Sequence, residues 1–154
     1  MITSKNLVAN KLCRLSSFLH NASEEFENVA KYIRDKKIKM SIRSVALQTK
    51  QYSQELSSQL SMLRLTCVLK NNNDERKSKY VVNKKVSDKK IVERCCNSEV
   101  FFSRAYKSIL NEYFPFKPLR DMLRYQLTEM QASFRQLKLL NSVLTPHVPA
   151  EALV

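Results

Sequence analysis

The 154-residue sequence has no glycine and no tryptophan, only two histidines and only four prolines. Each shortage excludes something. Two-residue β-hairpins lean on glycine for positive φ, and phosphate-cradling loops need it so that the backbone can approach the ligand. A P-loop, a dinucleotide-binding fingerprint and a many-hairpin β fold are all argued against. No uninterrupted apolar stretch approaches the roughly 18 residues that a membrane span requires.

What is present suits helices. Hydrophobic residues make up 44% of the chain, too many for a disordered segment. The length is that of one domain and suffices for a core without metal or disulfide staples. Four segments carry a helical period. Over residues 4–37 the apolar positions are Val8, Leu12, Leu15, Leu19, Ala22, Phe26, Val29 and Ile33, in alternating steps of four and three. Such a seam is the stripe of a packed helix. Residues 40–69 repeat it with Val45, Thr49, Tyr52, Leu56, Leu60 and Leu63. Lys36, Lys37 and Lys39 sit at the join of this helical hairpin. The third helix, 87–114, has Ser87 or Asp88 to cap it. Its seam is Ile91 or Val92, Cys95, Glu99, Phe102, Tyr106, Ile109 and Tyr113. The fourth, 118–144, starts on Pro118 after Pro115 and has Leu119, Leu123, Gln126, Met130, Ser133 or Phe134, Leu137 and Leu140 or Asn141.

Residues 71–86 break the period with Asn71-Asn72-Asn73-Asp74 and then a lysine-rich run. The spacing therefore predicts an all-α four-helix bundle. Hairpin 1–2 and hairpin 3–4 are joined by a basic connection long enough to cross over the length of the bundle. The expected domain is residues 1–144, with 145–154 as a tail.

Cys13, Cys67, Cys95 and Cys96 show no CxxC spacing. Adjacent cysteines in a helix point about 100° apart and do not bridge. Four reduced thiols are expected, filling core or boundary positions. The N-terminal apolar residues come at helical spacing rather than as a block, unlike a signal peptide. A cytoplasmic location with no membrane contact is expected.

Gln51-Tyr52-Ser53-Gln54-Glu55-Leu56, the stretch from Ile91 to Glu99, Ala105-Tyr106 and residues 119–137 with Gln126 together resemble a bacterial family of small ferritin-like four-helix bundles. That family is a domain of unknown function with relatives linked to stress responses. The resemblance covers residues 5–144 and implies a ferritin-like fold and a stress-related role. The chain has Ser98 where the family often has glycine. At Gln131 or Ala132 it lacks a frequent histidine.

A di-iron centre would need Glu-x-x-His pairs on facing helices. Glu55 is followed three residues on by Ser58 and Glu129 by Ala132, so no such pair exists. No cofactor, no metal and no enzyme activity are expected. A carboxylate metal protein built on Glu25, Glu55, Glu99 and Glu129 is the least favoured reading. Glu99 and Gln126 fall on apolar seams, and a buried carboxylate is costly unless paired. Glu99, Gln126, Tyr106 and Tyr52 are expected to form a buried polar layer that fixes helix register.

The net charge of +13 is uneven. Residues 31–43 hold six Lys or Arg against one acid, and residues 70–90 hold eight against three. Lys36, Lys37, Lys39, Arg76, Lys77, Lys79, Lys84 and Lys85 are the candidates for nonspecific polyanion or nucleic-acid binding. The leading expectation is a non-catalytic structural or protein-interaction bundle, dimeric by default. Polyanion binding is the alternative.

Overall fold

A computed structural model describes residues 4–64, 67 and 86–144, the side chains of 4–6 and 144 excepted. Its helices are α1 (Ser4–Ala30), α2 (Lys36–Met62), α3 (Asp88–Asn97), α4 (Glu99–Leu110) and α5 (Lys117–Leu144). There is no strand among the described residues. The α3 and α4 segments form one broken leg, so the architecture is an all-α bundle of four legs. Packing runs from α1 to α2, from α2 to α5, from α5 to α3 and α4, and from α4 back to α1.

The periodic seams become the core. All eight seam residues of the first segment are buried, as are Val45, Tyr52, Leu56 and Leu60 of α2 and Leu119, Leu123, Met130, Phe134 and Leu137 of α5. At the centre, four phenylalanines from three legs meet. The Phe18 and Phe102 ring centroids are 4.8 Å apart, those of Phe102 and Phe134 5.5 Å, and Phe26 lies 6.0 Å from Phe102 and 6.2 Å from Phe134. Such offset and edge contacts are the favoured aromatic geometries.

Helix boundaries differ from the periodic segments where caps decide. The first helix stops at Ala30 rather than near residue 37. Asp35 has extended backbone and its carboxylate accepts from Ile38 N (3.0 Å), which starts α2 one residue later. Lys36, Lys37 and Lys39 thus lie in the first turn of α2. That helix ends at Met62, and Arg64 follows with φ 57°. In a chain without glycine, an arginine takes the left-handed position that usually terminates a helix. The third leg breaks at Ser98, whose backbone N–H and hydroxyl both donate to Cys95 O.

Two cysteines depart from expectation. Cys13 and Cys67 form a disulfide, with Cα atoms 5.4 Å apart across a separation of 54 residues. Antiparallel packing brings the start of α1 beside the chain just beyond α2, a proximity that sequence spacing does not display. Closing so long a loop restricts the unfolded chain and stabilises the fold by roughly 4 kcal/mol in the chain-entropy model. Cross-links of this kind persist in oxidising surroundings, so this pair gives no support to a reducing location. Cys95 and Cys96 are free and buried. Burial pushes their thiols up, to about 12 and about 11, and both stay protonated at neutral pH. No described helix is long and apolar enough to cross a membrane.

Helix directions follow from side-chain pairs. Lys11 Nζ donates to Glu112 Oε1 (2.8 Å) and Ser108 O (3.2 Å), tying the start of α1 to the end of α4. At the other end, Ser87 caps α3 through Lys90 N, which frees Asp88 to reach across to the α1–α2 turn. Asp88 Oδ2 accepts from Asp35 N (2.8 Å), and both its oxygens accept from Arg34 N (3.0 and 3.2 Å). The third leg therefore begins at the end where α2 begins. Asp88→Ala would leave two turn amides without their charged acceptor. It should lower stability by about 2 kcal/mol in urea unfolding, and an unchanged midpoint would contradict the clamp.

Candidate functional site

Two regions have the makings of a site. The first is the end of the bundle where Asp88 meets the turn. Lys31, Arg34, Lys36 and Lys37 are exposed there and Lys39 is half-buried. Lys89 and Lys90, both exposed, follow Asp88 directly. Two basic runs more than fifty residues apart in sequence so converge on one surface. The nearby acids are engaged by backbone: Asp35 caps α2 and Asp88 holds the turn amides. Their negative charge sits against N–H groups and the positive ends of helices rather than among the lysines. Arg76, Lys77, Lys79, Lys84 and Lys85 lie outside the described residues.

The second region is a groove of about 690 Å³ between antiparallel α2 and α5. Gln48, Tyr52 and Glu55 line it from α2, and Tyr125, Ser133 and Gln136 from α5. A hydrogen-bonded chain leads out of the core into it. The Tyr106 hydroxyl donates to Gln126 Oε1 (2.8 Å), and Gln126 Nε2 donates to Glu55 Oε1 (3.1 Å). Tyr106 and Gln126 are fully buried, so this chain satisfies polar atoms that would otherwise be orphaned. Burial keeps the Tyr106 phenol well above its ordinary range. Glu55 Oε2 accepts from Gln51 Nε2 (3.2 Å). Further along, Ser133 donates to Gln48 Oε1 (2.8 Å), and Gln48 Nε2 donates to the Tyr52 hydroxyl (3.2 Å).

Of the four residues expected in a buried polar layer, Tyr106 and Gln126 are bonded to each other and Tyr52 is buried nearby in the groove wall. Glu99 is not part of the layer. It opens α4 just after the break at Ser98, and its side chain is 21% exposed. There it accepts from Lys138 Nζ (3.1 Å) on α5. The carboxylate that joins Gln126 is Glu55, which sits beside the α2 seam rather than on it. Its one sequence signal was adjacency to Leu56. Tyr113, placed on the same seam, is 84% exposed beyond the end of α4.

Glu25, Glu55, Glu99 and Glu129 do not converge. Among the described residues no three His, Cys, Asp or Glu groups lie close enough together to hold a metal ion. No family model, curated protein or solved structure matches the chain.

Tyr106 and Glu99 differ in what they hold up. Tyr106→Phe would leave Gln126 Oε1 buried without a donor and should cost about 1–3 kcal/mol. Glu99→Leu removes only a surface ion pair and should change stability by less than about 1 kcal/mol. Denaturant titrations of both variants test this; a larger loss from Glu99→Leu would restore Glu99 to the structural network.

Proposed function

We propose that this chain is a non-catalytic helical bundle that works by contact, and that its contact surface is the basic end, which docks on polyanions such as nucleic acid. The observation that carries this reading is the junction at Asp88. It sets Lys89 and Lys90 beside Arg34, Lys36 and Lys37 while occupying the neighbouring acids with backbone amides. Clustered lysines neutralise phosphates and release condensed counterions, which gives affinity without base selectivity. The residues that would discriminate sequence are bidentate Arg, Asn or Gln side chains on an element shaped for a groove, and lysine dominates here.

A ferritin-like crossover belongs to the same reading. In its support, α2 finishes a full helix length from its start, about 40 Å at 1.5 Å per residue, while α3 starts beside the α1–α2 turn. A stress-related role and family membership rest on sequence resemblance. Self-association as a dimer belongs to the same proposal, and Met40, Leu47, Leu139 and Val143 are exposed apolar side chains that such an interface would cover.

Fluorescence anisotropy with a labelled random DNA duplex and an RNA strand tests the proposal. Binding should weaken steeply with salt. Changing Lys36, Lys37, Lys89 and Lys90 together to glutamine should weaken it at least tenfold. On the duplex, the slope of log K against log salt should flatten by about 0.9 for each phosphate that the variant no longer neutralises. No binding at low salt, or equal binding by a folded four-site variant, would overturn it.

A further inference from the structure

One exposed residue at the basic end is aromatic. Tyr32 lies in the α1–α2 turn and is 40% exposed, while its neighbours Ala30 and Ile33 are buried. Among the described residues its ring meets no other aromatic ring and its hydroxyl has no hydrogen-bond partner. The backbone that carries it is fixed. Lys31 N, Tyr32 N and Ile33 N donate in turn to Asn28 O (3.2 Å), Val29 O (3.0 Å) and Ala30 O (3.2 Å), which winds the chain tightly off the end of α1. Ile33 then anchors the turn in the core, and Asp88 holds the amides of Arg34 and Asp35.

Exposed Lys31 and Arg34 flank Tyr32 in the turn. Two residues span at most about 7 Å, so Tyr32 stays close to Arg34, whose amide lies 3.0 Å from the Asp88 carboxylate. Lys36 and Lys37 open α2, and Lys89 and Lys90 follow Asp88 in the first turn of α3. Cations from the turn and from two helix starts therefore share one surface with an unpartnered aromatic ring. Lysines alone do not tell one polyanion from another, because they neutralise the phosphates of any strand. The ring is an independent feature and does discriminate. It attracts a base whose own face is open, whereas the bases of a duplex are already stacked on one another.

We propose that the ligand of the basic end is single-stranded nucleic acid, its phosphates held by the surrounding lysines and one of its bases stacked on Tyr32. This rests on the reading of that end as a polyanion-docking surface and narrows it to one strand form. Every base has a π face, so the site tolerates any sequence. A tyrosine ring has few rotatable bonds and loses little side-chain entropy when a base covers it. The Asp88 clamp gains a second part here. It holds the turn that carries Tyr32 against the helix that carries Lys89 and Lys90 before a strand arrives, so less order has to be imposed on binding.

The full chain is titrated by fluorescence anisotropy with a labelled oligothymidylate of about 12 nucleotides, within the range that small single-strand sites cover. The same strand made abasic, which keeps its phosphates and loses its bases, and a duplex of equal length are the comparisons. At physiological salt the thymidylate should bind at least about fivefold more tightly than the abasic strand, and more tightly than the duplex. Tyr32→Leu should bring thymidylate binding down to the abasic level. It should leave duplex affinity and the salt slope as they are, because no phosphate contact is lost. Tyr32→Phe keeps a π face and should bind as the unaltered chain does. Tyr32 is exposed, so both variants should keep their helical circular dichroism. Equal binding of the thymidylate and abasic strands, preference for the duplex, or undiminished thymidylate binding by Tyr32→Leu would overturn the stacking and leave polyanion docking in place. Failure of all the probes to bind, even at low salt, would overturn both.

Discussion

The backbone amides of Arg34 and Asp35 converge on one carboxylate, that of Asp88, from the first turn of a helix more than fifty residues further along the chain. A charged acceptor with backbone donors on each oxygen is among the stronger polar contacts available near a protein surface. Ser87 makes it possible by capping α3 itself, which leaves Asp88 free to act across the junction. From this clamp follow the direction of the third leg relative to α2 and the meeting of two lysine-rich runs on one surface. The far end of the bundle is held differently. There Lys11 bridges to Glu112, Arg120 Nη1 and Nη2 take the carbonyls of Glu112 and Leu110, and the Cys13–Cys67 bond ties α1 to the chain beyond α2.

Between these two ends the core divides into a dry half and a polar seam. The dry half is the cluster of Phe18, Phe26, Phe102 and Phe134. The polar seam runs along α2 and α5, where Thr49 bonds back to Val45 O (2.6 Å) and Gln126 sits between Tyr106 and Glu55. No buried side-chain nitrogen or oxygen is left without a partner among the described residues. A complete network of that kind favours one register over its neighbours, because a slip would orphan several groups at once. It also leaves a polar wall, rather than an apolar one, at the surface between α2 and α5.

The helical seams were legible in the sequence because burial imposes a strict period on each leg. The apolar positions of the first segment are all in the core, and Phe102 rather than Phe101 faces inward. What the sequence concealed depends on contacts between distant residues. Cys13 and Cys67 carry no spacing signal, since their proximity exists only once α1 and α2 pack antiparallel. Glu99 read as a seam residue because the period runs through Ser98; the seam does resume with buried Phe102, Tyr106 and Ile109, but Glu99, at the break itself, is left partly exposed. Glu55 could not be matched to Gln126 without knowing that α2 and α5 are neighbours. The basic candidates divide the same way. Lys36 and Lys37 were found from local charge, whereas the convergence of Lys89 and Lys90 on them needed the Asp88 contact.

Distance measurements across that contact examine the arrangement most directly. Spin labels on Lys37→Cys paired with Lys89→Cys, and on Met62→Cys paired with Lys89→Cys, compare the two ends of α2 as neighbours of α3. All three positions are exposed, and Lys37 and Met62 stand about 38 Å apart along the helix. A clamp at Asp88 predicts that the Lys37–Lys89 distance is much the shorter of the two. A Lys89 label nearer to position 62 than to position 37 would contradict the direction of the third leg and, with it, the shared basic surface.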